Sequence, residues 1–502
     1  MPDKKPNILF IISDQERQRD WLPEGVELPN RQRLIDEGIE FTQYYTHSSP
    51  CSPSRATLMT GQYVPQHGVI ENVVFPYHRP LDPKVPTIGH ALRDQGYDTS
   101  YVGKWHLGYG PTPDMEAHGF SDWSGNDQHF MGWAGTGTEF DPWIAHQAAD
   151  WLGRSAGGSK PWSLTVGLVN PHDVMWFPID QPEYQEAFPD QVELSKAILG
   201  FAAWKESDPL PVYDRPYERW FDKLPENFDD DLFTKPAVQR TWLHDQQHSL
   251  YGTLERDDTQ RWLRHLDYYV ALHQDGDRNL GLILDALEAS GQWDDTIIVF
   301  TSDHGDMCGS HGLRTKGPFA YQEIMRVPLY VKAPGLAAPG TKTASLASHV
   351  DLATTIPLLG GATRDQLPTF RGEDLTQVMR DPSATVRDAI LFAQDTAWYE
   401  SCLPLRYAIR GMFDGRHKYL RYYGVGGGTT PTTGPARAPK MFDVDSAFED
   451  QDHELYDLQE DPYELVNLAM DRGHRGEARD WFARLADLEA SEQIDTWHSY
   501  TN

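Results

Sequence analysis

The chain has 502 residues, of which 39% are hydrophobic and 24% charged, a composition typical of globular proteins and unlike that of disordered ones. Its formal net charge of −31 argues against nucleic acids and anionic membranes as partners, because like charges repel. The same charge means that any anionic substrate needs a local cluster of cations.

The N-terminal residues predict no signal peptide, and we expect no membrane-spanning segment, because the apolar run at 8–12 is too short for either. Three cysteines (Cys51, Cys308 and Cys402) are too few for a disulfide framework in a chain of this length. The sequence therefore predicts a cytoplasmic protein.

Short β-rich apolar runs alternate with helical patterns along most of the chain, which favours an α/β fold with a large, mainly parallel sheet flanked by helices. Asn30 and Thr87 are candidate helix caps, since both residue types accept hydrogen bonds from the first turn of a helix. In chain order, the predicted strands are 7–13, 39–45, 99–102, 162–169 and 296–301, and the predicted helices are 30–37, 87–96 and 265–290.

The alternation of strand and helix patterns is interrupted at two places in the sequence. Residues 176–262 are acidic, aromatic and rich in proline, and they are interpreted as an insertion in a catalytic domain that spans 1–380. Residues 381–502 predict a C-terminal antiparallel subdomain, with strands at 407–412 and 417–422 and an amphipathic helix near 474–490. The glycine-rich stretch 424–439 predicts a flexible loop.

Potential metal ligands or acid–base groups follow four predicted strands. They are Asp14-Gln15, Lys104-Trp105-His106, His172-Asp173 and Asp303-His304. A single residue of this kind is more often a turn cap or a surface side chain than a functional group. In open α/β sheets, however, ligands bind beyond the carboxyl ends of the strands, so four such groups together predict a functional site there.

Cys51 lies in the run SPCSPSRATLMTG at 49–61. Ser52 can cap a helix and Pro53 suits its first position, which predicts that Cys51 lies at a helix N-terminus. Backbone N–H groups and the helix dipole favour an anion at such a position, and Arg55 can hold the oxygens of a sulfate or phosphate. The alternative for an isolated cysteine is a buried structural role.

This run resembles the sulfatase signature Cys-x-Pro-Ser-Arg followed by Thr-Gly, and GYDTSYVGKWH at 96–106 resembles the second signature of that family. Further similar stretches follow in order: Asn170-Pro-His-Asp, Thr301-Ser-Asp-His-Gly-Asp, Lys316-Gly, Arg326-Val-Pro and the segment from Glu454 to Leu468. The chain thus resembles the type I, formylglycine-dependent sulfatases of the alkaline phosphatase superfamily, and the resemblance implies an alkaline-phosphatase-like fold.

The resemblance implies that a formylglycine-generating enzyme oxidises Cys51 to formylglycine, whose hydrate carries two hydroxyls on one carbon. One hydroxyl attacks sulfur or phosphorus, and loss of the proton from the second collapses the covalent ester and regenerates the aldehyde. It also implies one divalent metal, with the ligands Asp14, Gln15, Cys51 (as its modified form), Asp303 and His304. An oxygen-rich site suits calcium, whereas the histidine ligand leaves manganese as an alternative.

The resemblance also assigns the local cations and the acid–base groups. Arg55, Lys104 and Lys316 would neutralise the nonbridging oxygens of the substrate, and Asn72 is either a donor to the same oxygens or a plain turn residue. The two histidines have separate roles: His106 would take the proton that triggers breakdown of the hemiacetal ester, and His172 would protonate the leaving oxygen with help from Lys316.

These residues predict hydrolysis of sulfate monoesters of aryl or small organic alcohols. The pairs Asp14-Gln15 and Asp303-His304 resemble the branch near arylsulfatases, choline sulfatases and phosphonate monoester hydrolases, so a phosphonate monoesterase or phosphodiesterase is the alternative. A more distant alternative is a noncatalytic metal-binding relative in which Cys51 is never oxidised. The resemblance to bacterial branches of the family implies a homo-oligomer.

Overall fold

The computed structural model describes residues 5–74, 78–200, 210–395, 405–425 and 446–494. The strands are β1 (Asn7–Asp14), β2 (Ile39–Phe41), β3 (Tyr44–Tyr45), β4 (Asp98–Gly103), β5 (Trp162–Pro171), β6 (His248–Ser249), β7 (Gly252–Thr253), β8 (Thr296–Ser302), β9 (Leu329–Lys332), β10 (Thr341–Thr343), β11 (Ala347–Ser348), β12 (Ile390–Gln394), β13 (Arg406–Phe413), β14 (His417–Val425) and β15 (Asp452–Asp457).

The helices are α1 (Pro29–Glu37), α2 (Cys51–Thr60), α3 (Val64–His67), α4 (Ile88–Asp94), α5 (Asp127–Phe130), α6 (Thr136–Ser155), α7 (Pro182–Ala187), α8 (Pro189–Gly200), α9 (Ala237–Gln247), α10 (Thr259–Ala289), α11 (Gln322–Met325), α12 (His349–Leu359), α13 (Thr376–Arg380) and α14 (Arg475–Ser491). No helix in the described ranges has the length and apolar composition needed to cross a membrane.

A seven-stranded sheet in the order β10-β2-β9-β8-β1-β5-β4 forms the centre of the fold. Strands β8, β1, β5 and β4 run parallel, whereas β9 is antiparallel to both of its neighbours. Successive side chains of β1 alternate between the two hydrophobic clusters: Leu9 packs with residues of α6 and α10, and Phe10 with residues of α2, α4 and α12. The sheet is therefore covered by helices on both faces, which confirms the predicted α/β class.

A four-stranded antiparallel sheet, β12-β13-β14-β15, forms the C-terminal part. Strands β13 and β14 make the predicted hairpin, in which Phe413 pairs with Lys418 across the turn. One face of this sheet packs under α14 through Trp481 and Leu485, and the other packs against Phe319 and Met325 of the main domain. The smaller sheet is thus held between its own helix and the part of the chain that contains the large sheet.

Three local predictions were wrong. Helix α1 begins at Pro29, because proline suits the first helical position, and the Asn30 amide instead donates to Asp277 of α10. Helix α2 begins at Cys51 itself, and the Ser52 hydroxyl donates to the carbonyl of His106. The predicted strand 39–45 is split, since β2 pairs within the large sheet and β3 pairs with β11.

The remaining predicted regions are described only in part. Residues 176–262 contain α7, α8, α9 and the β6–β7 hairpin, apart from 201–209, which lie outside the described residues. In the predicted loop at 424–439, the first two residues end β14, and the residues from 426 onward lie outside the described ranges, as does Cys402. The insertion and the boundary near residue 380 stay predictions.

Candidate active site

The carboxyl ends of β1 and β8 bring two aspartates together. The strands are adjacent and parallel, with Ser13 beside Ser302, so that Asp14 and Asp303 emerge side by side. The N-terminus of α2 adds Cys51, and the residue after Asp303 adds His304. One candidate ligand atom from each of these four residues lies within 4.8 Å of the other three, and all four residues are fully buried.

The geometry of this cluster fits a divalent cation. The Cys51 Sγ is 3.6 Å from Asp14 Oδ1 and 3.2 Å from His304 Nε2, which is itself 3.7 Å from Asp303 Oδ1. His304 Nδ1 donates to the Gly305 carbonyl at 2.9 Å, which leaves a lone pair on Nε2 facing the carboxylates. An unprotonated nitrogen and two carboxylates directed at one point form a donor set that a cation satisfies.

Gln15 borders the cluster with a left-handed backbone, at φ 66. Its backbone N–H donates to Asp303 Oδ1 at 3.1 Å. Its side-chain Oε1 accepts from Lys316 Nζ, and its Nε2 donates to Asp306 Oδ2 at 2.5 Å. The predicted fifth ligand therefore lies next to the other four, with its amide held at both ends.

Two buried cations lie against the aspartates. Arg55 Nε donates to Asp303 Oδ2 at 2.8 Å and its Nη2 to Asp14 Oδ2 at 3.2 Å, and Lys104 Nζ lies 2.5 Å from the same Asp14 oxygen. Burial opposes the charged form of Asp14, but the positive charges of Lys104 and Arg55 hold its pKa well below the usual range. The local positive charge that the acidic sequence required is present.

The two predicted acid–base histidines are buried. Neither ring nitrogen of His106 has a hydrogen-bond partner within the described residues, whereas His172 Nε2 is 3.1 Å from Lys316 Nζ. Burial lowers the pKa of both rings, reinforced by Lys104 at His106 and by Lys316 at His172. Both imidazoles are therefore neutral, and that of His106 has nitrogens available to a bound substrate.

Cys51 and Asn72 meet at the start of α2. Burial, and then the charge of Asp14, raises the pKa of the Cys51 thiol to about 11. Asn72 Oδ1 accepts from the backbone N–H of Ser52 at 3.0 Å, so its side chain satisfies one donor of the helix N-terminus. A contact from Asn72 to substrate oxygens stays a prediction.

The segment from α5 to the start of α6 contains site residues that sequence reasoning missed. Asp127 accepts from the backbone N–H groups of Trp105 and His106, at 2.9 and 3.0 Å, and the carbonyl of Met131 accepts from Lys104 Nζ at 2.8 Å. Gly132 lies against the His172 ring so closely that an added Cβ would be 2.4 Å from Cε1. No motif marks this segment, because only the fold brings it beside two different strand ends.

Two further residues near the motifs have structural roles. Asp173 accepts from the backbone N–H groups of Gly137 and Thr138, at 3.1 and 2.8 Å, and so caps α6. Cys308 is fully buried, and its thiol lies 3.8 Å from the carbonyl of His265. Neither belongs to the candidate metal-ligand cluster, which consists of Asp14, Cys51, Asp303 and His304.

The sequence of the chain is similar to those of known proteins. The sulfatase family profile matches residues 6–362. Choline-sulfatase from Rhizobium meliloti (strain 1021) is 27% identical over 535 aligned positions, which cover 98% of this chain and 88% of the relative. Arylsulfatase A from Bos taurus is 28% identical over 482 positions, covering 92% and 83%.

The fold is also found among solved structures. Phosphonate monoester hydrolase of Agrobacterium radiobacter aligns with a TM-score of 0.67 at 23% identity, and the alignment covers 97% of this chain and 96% of that one. At this level of identity the likeness concerns the fold alone.

Proposed function

The chain belongs to the sulfatase family of the alkaline phosphatase superfamily, and we propose that it hydrolyses sulfate monoesters of aryl or small organic alcohols. The observation that carries this proposal is the position of Cys51 at the N-terminus of α2, among Asp14, Asp303 and His304. A nucleophile made from this residue would meet the substrate where buried cations compensate the charge of the sulfate.

In the proposed reaction, a formylglycine-generating enzyme first oxidises the side-chain carbon of Cys51 to the aldehyde, with dioxygen as the electron acceptor and the sulfur leaving as sulfide, and the aldehyde then takes up water. One hydroxyl of the hydrate attacks sulfur, and the bond from sulfur to the alcohol oxygen breaks. The second hydroxyl then gives its proton to His106, the carbon–oxygen bond to the sulfate breaks, and sulfate leaves as the aldehyde forms again. A second water restores the hydrate.

The proton for the leaving alcohol is assigned to the pair of His172 and Lys316. Lys316 Nζ is 3.1 Å from His172 Nε2, so the ammonium donates to this nitrogen and the ring hydrogen lies on Nδ1. The imidazole can therefore give up one proton and receive another from Lys316. Arg55 and Lys104 would hold the nonbridging oxygens while this happens.

A divalent cation held by Asp14, Gln15, Asp303 and His304 would supply Lewis acidity at the oxygen of the nucleophile. The oxygen-rich donor set supports calcium, and the single imidazole supports manganese as the alternative. Reconstitution of the metal-free protein with each ion, followed by activity measurement, distinguishes the two. Cytoplasmic location and self-association stay predictions.

Phosphonate monoester hydrolysis is the second candidate. The site is built around buried cations that recognise charge, and a phosphonate monoester has the same single negative charge as a sulfate monoester. The test is kcat/KM for an aryl sulfate and an aryl phosphonate monoester, on one preparation co-expressed with a formylglycine-generating enzyme. A preference for the sulfate supports the first proposal, and a preference for the phosphonate supports the second.

The nucleophile is tested by Cys51→Ala, which should reduce both activities to background. Cys308→Ala is the matched control, because it removes another buried thiol that lies outside the metal-ligand cluster. Peptide mass spectrometry of the active preparation should find the aldehyde at position 51. Full activity of Cys51→Ala would contradict the proposed mechanism.

A further inference from the structure

The amide of Gln15 is fixed at both ends inside the protein. Nε2 donates to Asp306 Oδ2 at 2.5 Å, and Oε1 accepts from Lys316 Nζ. Gln15 and Asp306 are both fully buried, so no water competes for these contacts. The orientation of the amide is therefore decided by these two neighbours.

Asp306 is itself held by the main chain. Its second oxygen, Oδ1, accepts from the backbone N–H of Cys308 at 2.7 Å. The backbone of Gln15 is fixed as well, since its carbonyl accepts from the Tyr269 hydroxyl at 2.5 Å and its N–H donates to Asp303 Oδ1 at 3.1 Å. The amide and the carboxylate are thus presented to each other by two rigid segments.

The two ends of an amide have nearly the same shape but opposite roles. A carbonyl oxygen binds cations, whereas an NH₂ group only donates hydrogen bonds. A carboxylate accepts hydrogen bonds and cannot donate them, so it selects the NH₂ end of a neighbouring amide and rejects the oxygen end. Asp306 consequently sets which end of Gln15 faces away from it.

We propose that Asp306 is a positioning residue that keeps Oε1 of Gln15, and not Nε2, directed at the divalent metal site. This inference rests on the proposed function only through the assignment of Gln15 as a ligand. Residues that orient metal ligands typically change metal affinity by about 10- to 100-fold when they are replaced.

The isosteric change Asp306→Asn removes this selection. The Cys308 N–H needs an acceptor, so the asparagine oxygen turns to the main chain and its NH₂ faces Gln15. In the metal-free protein the Gln15 amide can rotate to accept from this NH₂, because the flexible Lys316 side chain can turn away. Metal binding must then reverse the rotation and bring two NH₂ groups together, which lowers the affinity.

A second substitution, at position 15, should restore the hydrogen bond between positions 15 and 306. In Gln15→Glu with Asp306→Asn, the new carboxylate accepts from the asparagine NH₂ with one oxygen and presents the other to the metal. The expected result is a loss of affinity of about 10-fold or more for Asp306→Asn, with most of it recovered in the double variant. Because a carboxylate at position 15 is also a stronger metal ligand than an amide, the single variant Gln15→Glu is measured as the reference. A purely structural role for Asp306 predicts that Asp306→Asn lowers the affinity equally with Gln15 and with Gln15→Glu.

The experiment is calorimetric titration of Mn²⁺ and of Ca²⁺ into the metal-free full-length protein, which requires no activity. Asp180→Asn is the matched control, because Asp180 is another buried carboxylate that accepts from a glutamine amide, Gln181 Nε2, at 2.9 Å. This control should bind metal as tightly as the unaltered protein. If Asp306→Asn does not fold, Asp306→Ser replaces it, since a hydroxyl satisfies either end of the amide.

The possible failures are distinguishable. Unchanged affinity in Asp306→Asn, or no recovery in the double variant, overturns the role of Asp306. Unchanged affinity in Gln15→Ala overturns the assignment of Gln15 as a ligand, and the inference with it. Failure of the unaltered protein to bind either ion, together with absent hydrolysis, overturns the proposed function.

Discussion

Arg55 contacts both aspartates of the metal-ligand cluster, and it does so with different nitrogens of one planar group. Nε contacts Asp303 and Nη2 contacts Asp14, at 2.8 and 3.2 Å, in a region without access to water. A guanidinium spans two carboxylates in a fixed geometry, whereas an ammonium is a single point of charge. At the scale of the residue, the planar shape of the Arg55 guanidinium therefore matters for these contacts as well as its charge.

Arg55→Lys should lower kcat/KM by about 100-fold or more, because the charge remains but the bridge between Asp14 and Asp303 is lost. The measurement is kcat/KM for an aryl sulfate, together with metal affinity. Arg33→Lys is the control, since Arg33 also contacts several carboxylates but lies at the surface. Equal effects of the two substitutions would contradict the bridging role.

Substitutions of His106 and His172 should impair different steps of the reaction. With His106→Asn, the covalent sulfate ester should accumulate, so that a burst of alcohol is followed by turnover slowed about 10²- to 10⁴-fold. With His172→Asn, no burst is expected, and the loss should be greater for alkyl than for aryl sulfates, because a poorer leaving group needs its proton more. A burst with His172→Asn and none with His106→Asn would reverse the assignment.

At the scale of elements, the candidate ligands follow strand ends, and the segment between α5 and α6 contacts the residues that surround them. Asp127 accepts a hydrogen bond from the backbone N–H of His106, and the carbonyl of Met131 accepts one from Lys104 Nζ. Gly132 lies against the ring of His172. His106 and Lys104 follow β4, whereas His172 follows β5. One segment of six residues thus supports three groups to which the proposed mechanism gives separate roles.

Gly132→Ala should move the His172 ring, because the new methyl group would lie 2.4 Å from Cε1. We expect a loss of kcat/KM of about 100-fold, the usual cost of displacing a reacting group by about 1 Å. Gly110→Ala is a close control, since Gly110 has the same φ of 106 and no atom within 4 Å of the added methyl group. Equal loss of activity in both variants would show that backbone strain alone is responsible.

At the scale of the whole molecule, several histidines are buried in their neutral form. Burial, followed by the charge of Arg314, lowers the pKa of His265 to about 3, and burial with Arg79 lowers that of His67 to a similar value. The His265 ring stacks on Phe177 with 5.0 Å between centroids. The folded protein therefore keeps these rings neutral in acid that would protonate them in the unfolded chain.

This difference makes stability depend on pH. Below the unfolded pKa of 6.5, the unfolded chain binds a proton that the folded protein does not, so the free energy of unfolding falls as the pH falls towards 3. His265 should contribute about 1.4 kcal/mol of the loss between about pH 7.5 and about pH 5.5. The measurement is urea unfolding at both values, and His265→Gln should reduce the difference by that amount.

His146→Gln provides the control, because it makes the same replacement at an exposed histidine on α6. A smaller difference with His265→Gln than with His146→Gln would assign the effect to the buried ring. If His265→Gln left the difference unchanged, the buried ring would not be the source of the effect.

The amino-acid sequence by itself determined the fold class, the family and the strands that end in candidate ligands. Apolar runs at 7–13, 162–169 and 296–301 predicted strands that the structure contains, because strands buried on both faces must be continuously apolar. The run around Cys51 predicted its position at a helix N-terminus, although the start of the helix was wrong by two residues. Local chemistry is enough for such features.

Only the tertiary structure decided how the site is supported. Three contacts around the site join residues that are far apart in the sequence. Asp127 and His106 are 21 positions apart, Gly132 and His172 are 40 apart, and Asp306 and Gln15 are 291 apart. Asn30 is another residue whose contact depends on the fold, because its amide donates to Asp277 of α10 instead of capping its own helix. Such contacts are selected by the packing of whole elements, and no periodicity or local motif in a single sequence encodes them.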